Sequence, residues 1–297
     1  MKIFLVPTDF SAHAKKALLF ALDLALKTNA RILVTHVYAR PKALLGAPTD
    51  HEEEVRKQAV QRMQVFLEEV TSDAFVSVPL DFILKEGDII HRLGQLIEQN
   101  NVSLVIMGTQ GAHNQMEKFL GTNTESLAKR GLCPVIAVPE QASLEPVKHI
   151  VYSSSMEHDE VSAMNQLLQL KNVFKALLTI LHVNSEDQLD LLDDAEIKAN
   201  LRLQFPEEEF RFDTIEEEDV AAGITAYVMT HPTQLLAFTM LHRDFWERIF
   251  LDSVTVKLLQ SLHLPMLVLP ENGKKLDLLQ GVAHEDLALE QKVTSVL

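Results

Sequence analysis

The chain has 297 residues and 33.4 kDa, which at roughly 100–200 residues per domain makes two domains the leading expectation. A hydrophobic share of 47% excludes a disordered chain, and aromatics at 6% leave the core to Leu, Val, Ile and Ala. A net charge of −15 argues against nucleic acid and anionic membranes as partners.

Ile3–Val6 is a short apolar run that ends in Pro7-Thr8-Asp9, the pattern of a buried strand and a turn. Ser11 offers an N-cap, and Ala14, Ala17, Leu18, Ala21, Leu22 and Ala25 follow at helical spacing. Residues 31–37 predict a second strand. A loop with Pro41, Gly46 and Pro48 comes next, then a charged amphipathic helix near residues 50–70. Residues 78–84 predict a third strand, 88–99 a helix and 103–107 a fourth strand. A glycine-bearing loop, a helix near 122–130 and a fifth strand over 134–138 complete the series. Strands alternating with helices imply a parallel sheet with right-handed crossovers, and near-continuous apolar strands imply cover on both faces.

The second half repeats this order. His149–Ser155 stands where Lys2–Thr8 stands, and 178–183 mirrors 31–37, both closing in His-Val. Glu217-Glu218-Asp219 mirrors Glu86-Gly87-Asp88, and Leu264–Glu271 mirrors Cys133–Glu140 at an offset of 131 residues. The pattern is a duplication with a joint near 141–148. The expected units are 1–140, 149–271 and a tail, 272–297. The acidity is unequal: residues 1–140 carry 15 basic and 16 acidic side chains, and the remainder 12 and 26.

The sole cysteine, Cys133, precludes an intramolecular disulfide and fits a reducing compartment. The opening apolar run is too short for a signal-peptide core, and no stretch reaches the roughly 18 apolar residues of a membrane span. These features predict a soluble cytoplasmic protein.

Met107-Gly108-Thr109-Gln110-Gly111, nine residues, then Gly121-Thr122-Asn123-Thr124 join the fourth strand to a helix. Open parallel sheets bind ligands outside the carboxyl ends of their strands. Glycines admit close backbone approach, and a helix N-terminus with the Thr122 hydroxyl suits an anion, so the loop points to phosphate. It is neither a P-loop nor a dinucleotide fingerprint. On spacing alone it reads equally as turn glycines around a helix cap.

The pattern Gly-x2-Gly-x9-Gly-Ser/Thr in this setting, with the Val-Pro-Thr-Asp-Phe-Ser opening, resembles the universal stress protein family over about residues 1–270, as a tandem protein. The resemblance implies two flavodoxin-like α/β domains, each a five-stranded parallel sheet of order β3-β2-β1-β4-β5. The fifth strands would pair within the chain as a pseudo-dimer, with a homodimer or higher oligomer also open. In the ATP-binding branch, the acid after the first strand holds the adenine edge, the residue closing the second strand lines the base pocket, and the glycine loop holds ribose and phosphates. Carried over, these are Asp9, Val37, Gly108, Gly111, Gly121 and Thr122, with Pro7, Thr8, Met107, Gln110, Asn123 and Thr124 as neighbours. The implied cofactor is ATP, with or without Mg, and the implied role is a stress-response regulator acting on an unidentified protein partner. A nucleotide-free scaffold or small-ligand carrier is the alternative.

At matched positions the second half has Thr239, His242 and Asp252 for the three glycines and Met156 for Asp9, with only Ser253 kept. These replacements predict no nucleotide site there. No nucleophile–base–acid set is present, so no enzyme and no catalytic residue is expected, and any ATP hydrolysis is expected to be slow and incidental. His242, Asp244 and Glu247 carry zinc-ligand chemistry but fit a solvated loop, so no metal site is expected. His36 and His182, at matched strand ends, predict a shared structural role, and Cys133 a buried small hydrophobe. The runs 207–209 and 216–219 predict solvated faces or a helix start, and Lys118 lies near the phosphate loop without further support.

Overall fold

The computed structural model describes residues 1–38, 49–71, 77–109, 122–154, 161–184, 194–217, 219–240, 262–270, 276 and 278. The elements run β1 (Ile3–Pro7), α1 (Ala12–Thr28), β2 (Arg31–Tyr38), α2 (Thr49–Thr71), β3 (Leu80–Glu86), α3 (Ile89–Gln99), β4 (Leu104–Gly108), α4 (Thr122–Ala128) and β5 (Val135–Val138). The second half continues with β6 (His149–Ser154), α5 (Val161–Phe174), β7 (Leu177–Asn184), α6 (Asp194–Gln204), β8 (Arg211–Glu216), α7 (Val220–Thr230), β9 (Leu235–Met240) and β10 (Met266–Pro270).

Among the described residues these strands form one ten-stranded sheet, β3-β2-β1-β4-β5-β10-β9-β6-β7-β8. Each half has the expected order and is parallel throughout. The halves meet where β5 and β10 pair antiparallel. Ile136 stands opposite Leu267, its counterpart 131 residues on, so a local two-fold axis passes through that pair. The pairing covers two strand edges that would otherwise be open templates for aggregation. It also turns the carboxyl ends of the two halves toward opposite edges of the sheet.

Strand alternation divides the core into two layers. Phe4 and Val6 face α1 and α2, whereas Leu5 faces the α3 and α4 side. Helices α5 and α6 extend the first layer and α7 the second, with both halves contributing to each. Cys133 lies in the second layer at 3% exposure, the expected small hydrophobe.

Helix starts agree with their caps. Ser11, Asp88 and Asp219 accept backbone N–H bonds from Ala14, His91 and Ala222, a contribution typically about 1 kcal/mol each. Asp88 and Asp219 are therefore true counterparts, and the acidic run at 216–219 ends in a cap. Glu208, within the other acidic run, bonds Lys171 Nζ at 2.7 Å and also accepts from Asn172. The Lys171 bond holds its carboxyl below the usual range.

The tail returns to the second half. Leu276 and Leu278 are buried in the first core layer. The Leu276 N–H donates to Gln166 Oε1 at 2.7 Å, and Gln169 bonds both the Leu276 carbonyl and the Leu278 N–H. Two glutamines one turn apart on α5 thus pair backbone groups of Leu276 and Leu278.

Candidate nucleotide site at the carboxyl edge of the first half

Because the first five strands are parallel, their carboxyl ends share one edge. Pro7 and Thr8 are buried at the end of β1, and the Thr8 N–H extends the ladder to the Thr35 carbonyl at 2.8 Å. Thr8 Oγ1 accepts the Phe10 N–H at 2.9 Å, and Asp9 Oδ1 accepts the Ser11 N–H at 3.0 Å. Asp9 is exposed, so a carboxylate held through one oxygen faces solvent at this edge.

His36, near the end of β2, lies with Nδ1 2.8 Å from the Thr8 carbonyl oxygen. A carbonyl only accepts, so Nδ1 carries the proton and Nε2 is left as an acceptor in the neutral ring. Burial lowers the His36 pKa. The Thr8 carbonyl raises it, Arg62 lowers it and Asp9 raises it, each by a smaller amount. Phe10 has φ of +68°, a left-handed conformation that costs a bulky residue about 1–2 kcal/mol. Its ring centroid lies 4.4 Å from that of His36 and 5.7 Å from that of Phe66, with the Arg62 guanidinium 4.6 Å from the ring centre. Val37 alternates to the opposite face and is half-buried.

Strand β4 brings Met107, buried, and Gly108, half-buried, to the same edge. The Thr109 N–H extends the ladder to the Val138 carbonyl. A Cβ on Gly108 would stand 2.6 Å from the His13 carbonyl carbon and 2.7 Å from its oxygen. Glycine is required here by the approach of α1, irrespective of any ligand. His13 Nδ1 in turn lies 3.3 Å from a Glu140 carboxylate oxygen, without hydrogen-bond alignment.

Helix α4 begins at Thr122; Asn123 is exposed, and Thr124 is buried at 1% exposure. The structure thus brings Pro7, Thr8, Asp9, Val37, Met107 and Gly108 to one edge. Gln110, Gly111, Lys118 and Gly121 lie outside the described residues, as do Met156, His242, Asp244, Glu247, Asp252 and Ser253. Phe10 and Arg62 were absent from the sequence-derived set. Nothing local in the sequence signals a left-handed phenylalanine, and Arg62 sits on a helix separated from β1 by β2.

The second half repeats the frame and changes the site. His182 Nδ1 lies 3.2 Å from the Ser154 carbonyl oxygen, matching His36 and Thr8 and bearing out a shared structural role. That match makes Ser155 the counterpart of Asp9, which corrects the sequence alignment on Met156; neither residue carries a carboxylate. Strand registers keep the 131-residue offset through β4–β5 and β9–β10, so Thr239 is the counterpart of Gly108. Its hydroxyl lies 2.7 Å from the Tyr152 hydroxyl. In β3 and β8 the offset is 130, because Glu86 and Glu216 are matched in register, and one residue is inserted before the Asp219 cap.

Among the described residues no group of three or more His, Cys, Asp or Glu is placed to hold a metal ion, and no helix is long and apolar enough to cross a membrane.

The sequence profile of the Universal stress protein family matches residues 1–139. The chain is 31% identical over 138 residues to the "Universal stress protein in QAH/OAS sulfhydrylase 3'region" of Thermus aquaticus, an alignment spanning 46% of this chain and 98% of that protein. It is 26% identical over 142 residues to universal stress protein YxiE of Bacillus subtilis, spanning 45% of this chain and 96% of that one. Over both halves, the crystal structure of a universal stress protein from Archaeoglobus fulgidus superposes with a TM-score of 0.68 at 19% identity, covering 90% of this chain and 95% of that chain. A putative universal stress protein from Pseudomonas aeruginosa gives 0.56 at 13% identity, covering 91% and 93%. At these identities the structural likeness establishes the fold.

Proposed function

The chain belongs to the universal stress protein family, and on that premise we propose that it is a cytoplasmic, non-catalytic regulator that binds one ATP, with or without Mg, in its first half. The observation that carries this reading is the solvent-facing Asp9 carboxylate, held by the Ser11 N–H at the carboxyl edge of a parallel sheet beside Gly108. A carboxylate accepts from an exocyclic amino group, which adenine presents. Half-buried Val37 supplies apolar surface for a base, so the donor set fits the base end of the nucleotide. Gly111, Gly121 and Thr122 would take ribose and phosphate, with Gln110, Asn123 and Thr124 beside them. When bound, the nucleotide supplies charge and surface to a protein partner. The proposed units are 1–140, which holds the nucleotide, and 149–271, which carries no carboxylate at the Asp9 position and Asp252 where phosphate would sit, followed by the tail 272–297.

One observation favours a second reading, a nucleotide-free scaffold: Gly108 is already required by α1. Thermal unfolding of the purified chain with and without ATP decides between them. The ATP reading expects a raised midpoint, following RT ln(1 + [L]/Kd), and adenine absorbance in protein as purified. An unmoved midpoint at millimolar ATP supports the scaffold.

A further inference from the structure

We infer that His36 and Phe10 are positioning residues that aim Asp9, and that they thereby set a preference for adenine over guanine; this rests on the nucleotide reading above. The Thr8 carbonyl and the Asp9 N–H are two ends of one planar peptide unit. The His36 Nδ1 bond to that carbonyl at 2.8 Å therefore fixes the plane from which Asp9 departs. On the other side of Asp9, Phe10 is held at φ of +68° by its N–H bond to Thr8 Oγ1. Its ring is wedged between His36 and Phe66 with Arg62 over its face. Both peptide units flanking Asp9 are thus fixed by side-chain hydrogen bonds. The left-handed strain at Phe10 persists because the surrounding contacts over-determine it. An aimed carboxylate accepts from an amino group and opposes a carbonyl oxygen, the difference between adenine and guanine at that ring position.

The second half contains its own control. His182 makes the matching bond to the Ser154 carbonyl, with no acidic residue at the next position.

The test measures ATP and GTP affinities by titration of the full chain and four variants. Wild type is expected to prefer ATP. His36→Leu and Phe10→Gly are expected to reduce that preference by about tenfold, the order of one lost positioning bond. His36→Asn, whose carboxamide N–H replaces Nδ1–H, and His182→Leu are expected to retain it. A His36→Leu variant that folds and keeps the wild-type ratio overturns the inference while leaving nucleotide binding intact. Equal loss in His36→Leu and His182→Leu also overturns it, since that is the mark of general destabilisation. Should His36→Leu not fold, Phe10→Gly decides by the same ratio, because glycine adopts the left-handed conformation freely. A wild type that binds neither nucleotide contradicts the underlying nucleotide reading instead.

Discussion

Gly108→Ala should destabilise the chain in the absence of any ligand. An alanine Cβ would stand 2.6 Å from the His13 carbonyl carbon, 2.7 Å from its oxygen and 2.8 Å from its Cβ. Carbon atoms normally rest about 3.5–4.0 Å apart. Two of the three obstructing atoms are backbone in the first turn of α1, so no rotamer change relieves the clash. The helix must lift by about 1 Å from the end of β4. Overpacking of this kind costs about 1–3 kcal/mol. The φ at Gly108 lies outside the left-handed region, so alanine also gains about 0.4–1 kcal/mol by restricting the unfolded chain. With backbone as the obstacle the net loss is about 2 kcal/mol. In urea, at a slope near 2 kcal/mol per M, the unfolding midpoint should fall by about 1 M. An unchanged or raised midpoint would show that α1 moves without cost and that this glycine serves something other than packing.

Three further outcomes are expected. Gly121→Asp, which copies Asp252 into the intact loop, should weaken ATP binding by more than about tenfold, since half of the roughly 4 kcal/mol repulsion between unit charges at 4 Å suffices; wild-type affinity by titration would mean that phosphate is held elsewhere. The Tyr227 hydroxyl donates to Asp213, and burial, then that carboxylate, pushes its pKa up to about 12. Its stabilisation is fully present below the ordinary tyrosine value near 10 and is lost as pH rises through about 12. Tyr227→Phe should therefore be less stable by about 1–2 kcal/mol at pH 7, with a gap to wild type that narrows at pH 11 in urea melts; a constant gap refutes the linkage. His36, facing Arg62, Asp9 and Tyr38, has its pKa lowered, chiefly by burial. Its share of stability is present above the ordinary histidine value near 6.5 and is lost as pH falls through the lower folded value. Between pH 7.5 and 5, His36→Asn should lose less stability than wild type, and parallel losses would place the acid sensitivity in other groups.

Much of the architecture was readable because parallel strands covered on both faces leave unbroken apolar runs. The alternation of strands and helices and the duplication follow from those runs, whereas the order of each half and the pairing of β5 with β10 were implied by the family resemblance. Strand limits slipped where the pattern is silent: β3 begins at Leu80, two residues beyond the expected start, because the apolar Val78 precedes the ladder and packs against the core without pairing. The alignment of Asp9 on Met156 erred by one residue because sequence identity across a turn does not carry register, whereas the two histidine–carbonyl bonds do. Gly108 reads as a ligand residue in the sequence because a glycine at a strand end serves a ligand or a neighbouring helix alike; the approach of His13, which alone already requires glycine there, was not legible. The apolar residues of the tail, Leu276 and Leu278 among them, left docking on a domain or a higher oligomer open, and the place of docking was not legible. Gln166 and Gln169 look like the wet side of a helix until the backbone of Leu276 and Leu278 lies against them.

The most direct test of the central claim is a calorimetric titration of ATP into the full chain beside Asp9→Ala. The account predicts one site per chain in the wild type and an affinity at least about tenfold weaker in the variant, as expected for a lost charge-assisted hydrogen bond. Two equivalent sites per chain, or undiminished affinity in the variant, would contradict it.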